Sequence, residues 1–159
     1  MPNECVFSSD RRYRYSLIHR WDELLGPGRG IGWICLNPST ADEHQLDPTL
    51  RRIRGFSAAW GYSFFVMLNL FAWRATDPAK MKAAPDPVGP DNDAWIAHWA
   101  ARVDRLVVGW GEHGGHRGRD RQVLGILDPT KTFCLGRNAS GQPRHPLYVD
   151  RHTKPIPAL

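Results

Sequence analysis

The chain has 159 residues, a hydrophobic content of 42% and a formal net charge of +5. This length fits one domain, residues 1–159, that buries a core of ordinary size. No run approaches the roughly 20 apolar residues that a membrane-spanning helix needs, so we expect no membrane association. The start of the chain lacks the basic and then apolar order of a secretory signal. Three cysteines, Cys5, Cys35 and Cys134, are odd in number and far apart, which favours reduced thiols in the cytoplasm over a disulfide framework or a zinc site.

Five short segments of the sequence have the patterns of β-strands. Residues 12–19 alternate polar and apolar side chains, as a half-exposed strand does. Four further segments are continuous apolar runs, typical of parallel strands that are buried on both faces: residues 31–36, 64–68, 106–108 and 132–135. We expect these four runs to form one central parallel sheet, with the segment 12–19 as a short N-terminal strand.

Helices are predicted between the strands. Asp47 caps the first helix, Pro48 occupies its first position, and apolar residues follow at helical spacing. Two more helices begin near Asn92 and Arg119, and the proline-rich segment 77–90 is predicted to be a long functional loop. Strands that alternate with helices are typical of an α/β domain with helices on both faces of the sheet. The sequence therefore predicts a three-layer α/β/α fold.

Polar or aromatic side chains follow the ends of the predicted strands. Asn37, Asn69 and Trp110 come after the first three apolar runs, and His145 comes beyond the fourth. The carboxyl ends of parallel strands meet at one edge of a sheet, where ligands bind. We therefore expect these four side chains to face one pocket, in which amides read hydrogen-bonding edges and aromatic faces stack on a flat heterocycle. The alternative is structural, because each polar residue alone also fits a capped turn or an ordinary loop.

Longer motifs give the chain a family resemblance. The motifs are LNPSTAD at residues 36–42, NLFAWRATDP at 69–78, PVGPDN at 87–92 and HPLY at 145–148. With these motifs the chain resembles an uncharacterised bacterial family that is known only as a domain of unknown function. The resemblance covers nearly the whole length, from residue 14 to residue 157, and implies no activity.

The order and spacing of the same motifs are similar to those of the uracil-DNA glycosylase superfamily, which has a three-layer α/β/α fold. The resemblance implies that Asn37 positions the hydrolytic water, that Asn69 reads the flipped base and that His145 contacts the base carbonyl. Trp110 and Gly111 match a Trp-Gly or Leu-Gly pair of that superfamily. The implied activity is hydrolysis of the N-glycosidic bond of a damaged, mismatched or modified base, with no cofactor.

The same resemblance implies further substrate contacts in the first and last motifs, from Pro38, Ser39, Thr40 and Tyr148. The chain also departs from the superfamily pattern, because residues 147–148 are Leu-Tyr in place of the usual Ser-Pro and the first motif lacks its usual glycine. An asparagine at position 37 is no strong base, so slow turnover or an activated leaving group is expected.

Basic residues point to a partner that carries phosphate. Arg51, Arg74 and Arg144 are candidate phosphate contacts, since a guanidinium binds phosphate through two parallel hydrogen bonds. A solvated basic surface is the alternative for all three. We expect a monomer whose partner is single- or double-stranded DNA, or a nucleobase or nucleotide ligand.

Two other functions compete with base release. The first is a nucleotide- or nucleic-acid-binding protein without glycosylase activity, which the altered residues 147–148 favour. The second is a metal-dependent hydrolase that uses Asp42, His44 and Asp47. Their spacing fits no strong metal signature, so no metal site is predicted.

Overall fold

A mixed sheet of seven strands organises the chain, in the order β1-β2-β4-β3-β5-β6-β7. The computed structural model describes residues 2–22 and 28–159. The strands are β1 (Glu4–Phe7), β2 (Arg14–Arg20), β3 (Gly30–Cys35), β4 (Phe64–Asn69), β5 (Arg105–Val108), β6 (Thr132–Cys134) and β7 (Ile156–Pro157). The α-helices are α1 (Pro48–Ala59), α2 (Pro78–Ala83), α3 (Asn92–Ala100) and α4 (Arg119–Leu124). Short 3₁₀ segments lie at Glu112–Gly118, Pro129–Lys131 and Pro146–Tyr148.

Parallel pairing aligns strands that are far apart in the sequence. Strand β3 lies parallel to β4 on one side and to β5 on the other, and β6 lies parallel to β5. The register places Trp33 beside both Met67 and Val107. Antiparallel pairs join β1 to β2, β2 to β4, and β6 to β7. The carboxyl ends of β3, β4, β5 and β6 therefore lie at one edge of the sheet.

The fold is mixed α/β, and its sheet is larger than the sequence predicts. The four apolar runs are strands, but the expected four strands and one short N-terminal strand become seven over the described residues, because β1 and β7 pair at the two edges of the sheet. The segment 77–90, predicted as a loop, contains helix α2. Asp77 begins this helix, since its Oδ1 accepts a hydrogen bond from the Ala79 amide at 2.9 Å.

Two apolar cores lie on opposite faces of the sheet, because successive residues of a strand point to opposite sides. Trp33 of β3 packs with Phe56 of α1, their ring centroids 6.0 Å apart. The next residue, Ile34, belongs to the other core, together with Ile96 of α3 and Val123 of α4. Helices therefore cover both faces. None of the helices in the described ranges is long and apolar enough to cross a membrane.

Helix α1 begins at the carboxyl edge of the sheet, as the sequence predicts. The Asp47 side chain accepts a hydrogen bond from the Leu50 amide at 2.9 Å, and Pro48 is the first helical residue. Asp47 therefore satisfies one of the free amides of the first turn. Gly61 follows the end of the helix with a φ of 88°, a left-handed conformation that glycine adopts without strain. The start of α1 thus fixes a carboxylate beside the loop that leaves β3.

Candidate functional site

A cavity of about 480 Å³ opens at the carboxyl edge of the sheet. This volume lies within the range of roughly 300–1,000 Å³ that small-molecule sites occupy. Its walls come mainly from the segments that follow β3, β4, β5 and β6. The predicted site residues that line it are Asn37, Pro38, Ser39, Trp110, Arg144, His145 and Tyr148. The remaining predicted site residues, Asn69, Thr40, Arg51 and Arg74, lie outside its lining.

Asn37 lies half-buried in the cavity wall, two residues beyond the end of β3. Its Nδ2 donates to the Ala75 carbonyl at 2.8 Å and to the Pro38 carbonyl at 3.2 Å. These two bonds fix the amide plane between the loops that follow β3 and β4. The amide oxygen receives no hydrogen bond from the described residues, so it is the acceptor that Asn37 offers to a ligand or water.

His145 is half-buried and held in one tautomer. Its Nδ1 accepts a hydrogen bond from the Leu147 amide at 3.2 Å, so in the neutral ring the proton resides on Nε2. Burial lowers the pKa of His145, and the Asp47 carboxylate opposes that shift. The ring is therefore neutral at pH 7 and presents an N–H donor.

Asp47 is a cavity residue that the sequence indicates as a helix cap and, in the alternative of a metal-dependent hydrolase, as a metal ligand. Its carboxylate interacts electrostatically with both His145 and Arg14. Oδ1 is occupied by the Leu50 amide, and Oδ2 has no hydrogen-bond partner among residues 2–22 and 28–159. A predicted N-cap directly after a strand-end motif was the sequence signal for this position, because it places a carboxylate at the ligand-binding edge.

Arg14 is a cavity residue that the sequence analysis did not identify. The first residue of β2, it is only 1% exposed. Its Nη1 donates to the Ala41 carbonyl at 3.1 Å. Burial lowers the pKa of Arg14 to about 10, and the Asp47 carboxylate opposes the shift. The side chain therefore remains a cation at pH 7.

Asn69 does not face the cavity, in contrast to the expectation. Strand β4 continues through this residue, which pairs with Cys35 of β3, so Asn69 is part of the sheet rather than of the loop beyond it. It is 1% exposed, and its Oδ1 lies 3.5 Å from Nη2 of Arg14. Its Nδ2 has no hydrogen-bond partner in the described part of the chain. Arg14, rather than the Asn69 amide, therefore lines this part of the cavity.

Trp110 forms a wall of the cavity and is 2% exposed. Its Nε1 donates to Gln142 Oε1 at 2.8 Å, and Gln142 Nε2 donates to Asp120 at 3.0 Å. Gly114 lies against the indole: a Cβ there would be 2.0 Å from Trp110 Cδ1. The Trp110 ring is therefore fixed by its neighbours and buried. The aromatic ring that is accessible to a ligand is that of Tyr148 at the rim, which is 80% exposed.

The candidate phosphate contacts are spread over the surface. Arg144 lines the cavity at its exposed rim. Arg74 and Thr40 instead line a shallow neighbouring groove of about 500 Å³, which shares Ser39 with the main cavity. Arg51 lies on α1, where its Nη2 donates to the Leu46 carbonyl at 3.0 Å. Of the three arginines, the cavity brings in Arg144 alone.

The segment proposed for a metal site has structural roles. Asp42 Oδ1 accepts hydrogen bonds from the amides of His44 at 2.8 Å and Gln45 at 3.2 Å, which closes a turn. Asp47 caps α1. Over the described residues, no three His, Cys, Asp or Glu side chains are grouped to hold a metal ion.

Residues 14–147 match the family described as "Protein of unknown function (DUF1643)", so the chain belongs to that family. The matched region extends from the start of β2 to the HPLY motif, and it contains every cavity residue named above except Tyr148. No curated protein and no solved structure matches the chain.

Proposed function

We propose that this member of the DUF1643 family hydrolyses the N-glycosidic bond of a damaged, mismatched or modified base in DNA. The observation that carries the proposal is that Asn37, Asp47 and His145 line one cavity. Such a hydrolysis uses one group to orient water, one to accept its proton and one to stabilise the leaving base. The amide oxygen of Asn37, the carboxylate of Asp47 and the N–H donor of His145 suit these three roles.

The proposed reaction balances with these groups alone. The bond between the sugar carbon and the base nitrogen breaks, and its electron pair goes to the base. A water molecule oriented by the Asn37 amide oxygen attacks the sugar carbon, and its proton passes to the Asp47 carboxylate. The Nε2–H of His145 donates a hydrogen bond to the departing base, whose negative charge it stabilises.

The arrangement of the sheet also supports the proposal. We infer a central parallel sheet of the uracil-DNA glycosylase type, because β4, β3, β5 and β6 form consecutive parallel pairs and the cavity lies at their carboxyl ends. Ligands of open parallel sheets bind at that edge. Tyr148, exposed at the rim, offers a ring face on which a base can stack.

A base-release assay tests the proposal. The substrates are labelled oligonucleotides that carry uracil, a mismatched thymine or a modified pyrimidine, single- or double-stranded, and alkali cleaves the abasic product. We expect release from at least one substrate. Absence of release from the whole panel would contradict base hydrolysis.

Asp47→Asn identifies the cavity as the site of the reaction. Asparagine also caps helices, so α1 keeps its first turn while the carboxylate is lost. The rate of base release is expected to fall by on the order of 10²–10⁴-fold, as for the loss of a general base. Asp128→Asn is the matched control, because Asp128 caps the 3₁₀ segment Pro129–Lys131 and lies outside the cavity. Equal rates in the two variants would place the reaction elsewhere.

A second candidate is a nucleotide- or nucleic-acid-binding protein without hydrolysis. The observation that favours it is the position of Asn69, which lies beside Arg14 and outside the cavity lining. A site without that amide holds a ligand by charge and stacking more than by its base edge. Tight binding of oligonucleotides or nucleotides with no base release from the same panel would establish this function.

A further inference from the structure

Arg14 is a buried guanidinium that forms no ion pair with any described residue. It is 1% exposed and lines the cavity. Arginine is rarely buried unless it is paired, because removing its charge from water is costly. The position of Arg14 beneath a ligand-sized cavity therefore calls for a partner that the described protein does not supply.

One edge of the buried Arg14 guanidinium lacks a well-placed hydrogen-bond partner among the described residues. Nη1 is occupied by the Ala41 carbonyl at 3.1 Å. Nη2 lies 3.5 Å from Asn69 Oδ1, at the outer limit of a hydrogen bond, and Nε has no partner in the described chain. Nε and Nη2 form the side of the guanidinium that binds two oxygens of an anion in parallel.

Arg14 is the buried cation of the cavity, because the other charged side chains that line it are exposed or acidic. Arg144 and Glu112 are both exposed at the rim, where solvent screens their opposite charges. Asp47 is the carboxylate whose field reaches Arg14, and its Oδ1 is already bonded to the first turn of α1. That helix terminus partly neutralises the Asp47 charge. An incoming anion is therefore favoured at the floor of the cavity rather than at its rim.

We propose that Arg14 makes the floor of the cavity a subsite for an anionic oxygen, carried by a phosphoryl group or by a nucleobase that leaves as an anion. This inference rests on the proposed function, because the same cavity is taken as the ligand site. A buried cation acts strongly on such an oxygen, since a bound ligand excludes water from the cavity. His145 adds an N–H donor to the same cavity.

Matched neutral and anionic probes test the subsite by calorimetric titration of the full chain. Barbiturate, an anionic pyrimidine ring, is compared with neutral uracil, and deoxyuridine 5′-monophosphate is compared with deoxyuridine; inorganic phosphate is titrated alone. We expect an anionic probe to bind at least about tenfold more tightly than its neutral counterpart, as for a charge-assisted hydrogen bond. A preference confined to barbiturate identifies the base as the source of the anion, and one confined to the phosphate compounds identifies a phosphoryl group.

Three variants separate binding from structure. Arg14→Met removes the charge and is expected to abolish the preference for anions, whereas Arg14→Lys keeps the charge and is expected to retain part of it. Arg119→Met is the matched control, because Arg119 is also 1% exposed but lies outside the cavity lining. It is expected to retain the full preference.

The subsite is overturned if the wild-type chain binds neutral and anionic probes equally, or if Arg14→Met keeps the preference. If Arg14→Met does not fold, the wild-type probe pairs and Arg14→Lys decide: a lysine variant that folds and shows no preference also overturns it. An anionic preference without base release leaves the subsite standing and removes the proposed hydrolysis. Base release at the full rate by Arg14→Met, together with an unchanged preference for anionic probes, leaves the hydrolysis standing and removes the subsite.

Discussion

The two buried arginines, Arg14 and Arg119, stand in opposite relations to their surroundings. Each is 1% exposed, and each contacts the carboxyl end of β4. Arg119 lies 2.7 Å from Asp93, and its Nε donates to the Leu70 carbonyl at 2.8 Å. Arg14 has no carboxylate partner in the described chain and lines the cavity. The same residue type at the same burial thus has a carboxylate partner at Arg119 and none among the described residues at Arg14, which faces the site instead.

Among the variants that bear on this comparison, the largest expected effect is on the cavity side. His145→Ala should lower the rate of base release by on the order of 10²–10³-fold, the cost of removing one oxyanion donor. Stability should change little, because His145 is half-buried in a turn. Single-turnover kinetics and urea unfolding measure the two quantities. Arg119→Met should leave the rate of the folded protein unchanged, and a comparable loss in that variant would remove the distinction between the two regions.

The next largest effect concerns stability. Arg119→Met should lower the free energy of unfolding by about 1.5–3 kcal/mol, because the hydrogen bond and the ion pair of a buried guanidinium are lost. Arg14→Met should remain within about 1 kcal/mol of the wild type, because replacing an unpaired buried charge with an apolar side chain relieves its desolvation cost. Urea denaturation of both variants gives these values. The comparison breaks if Arg14→Met is the less stable of the two.

A smaller effect is the pH dependence that His145 adds to stability. Burial lowers its folded pKa below the ordinary value of 6.5, so the unfolded chain binds more protons between those two values. The contribution of His145 is therefore fully present above pH 6.5 and is lost as the pH falls toward its folded pKa. His145→Gln should flatten the fall in unfolding free energy below pH 6.5. The exposed His152 provides the control, and His152→Gln should leave the slope as it is in the wild type.

The smallest expected effect is at the rim. If DNA crosses the cavity mouth, Arg144→Ala should reduce the slope of log affinity against log salt concentration by about 1, because one phosphate contact is lost. Arg51→Ala should leave the slope unchanged, since Arg51 lies outside the cavity. Fluorescence anisotropy with a short oligonucleotide measures both slopes. Equal changes in the two variants would indicate a diffuse basic surface instead of a strand held at the rim.

Local sequence patterns predicted the elements whose causes are local. The apolar run of β3 and the cap and proline that begin α1 lie within single stretches of about ten residues, so pattern and propensity suffice. Strand β7 has two residues, Ile156 and Pro157, and exists because it pairs with β6. Helix α2 is six residues long within a proline-rich segment, and its one buried residue is Met81. Tertiary pairing forms β7, and no local pattern indicates it. Asp77 and Pro78 repeat the cap and proline that begin α1, but a six-residue helix is too short to show helical periodicity.

The sequence could predict cavity residues that lie well beyond the end of a strand. It could not predict a residue at the strand end itself, because one residue of pairing decides whether the side chain reaches the cavity. Asn37 and His145 follow their strands and line the cavity, whereas Asn69 is still paired within β4. One further residue of pairing removes its side chain from the crevice. Arg14 was missed because its neighbours, Ala41 and Asn69, are 27 and 55 residues away in the sequence.

The bond from the Leu147 amide to Nδ1 of His145 has a consequence for sequence variation at the last motif. The donor belongs to the main chain, so the tautomer of the histidine is independent of which side chain residue 147 carries. Leu147 is itself 37% exposed, so its side chain can be replaced by one that suits a different ligand. Proline is the exception, because it has no amide hydrogen. Position 147 is thus variable in chemistry but restricted in backbone, and Leu147→Pro would free the imidazole to move its proton to Nδ1.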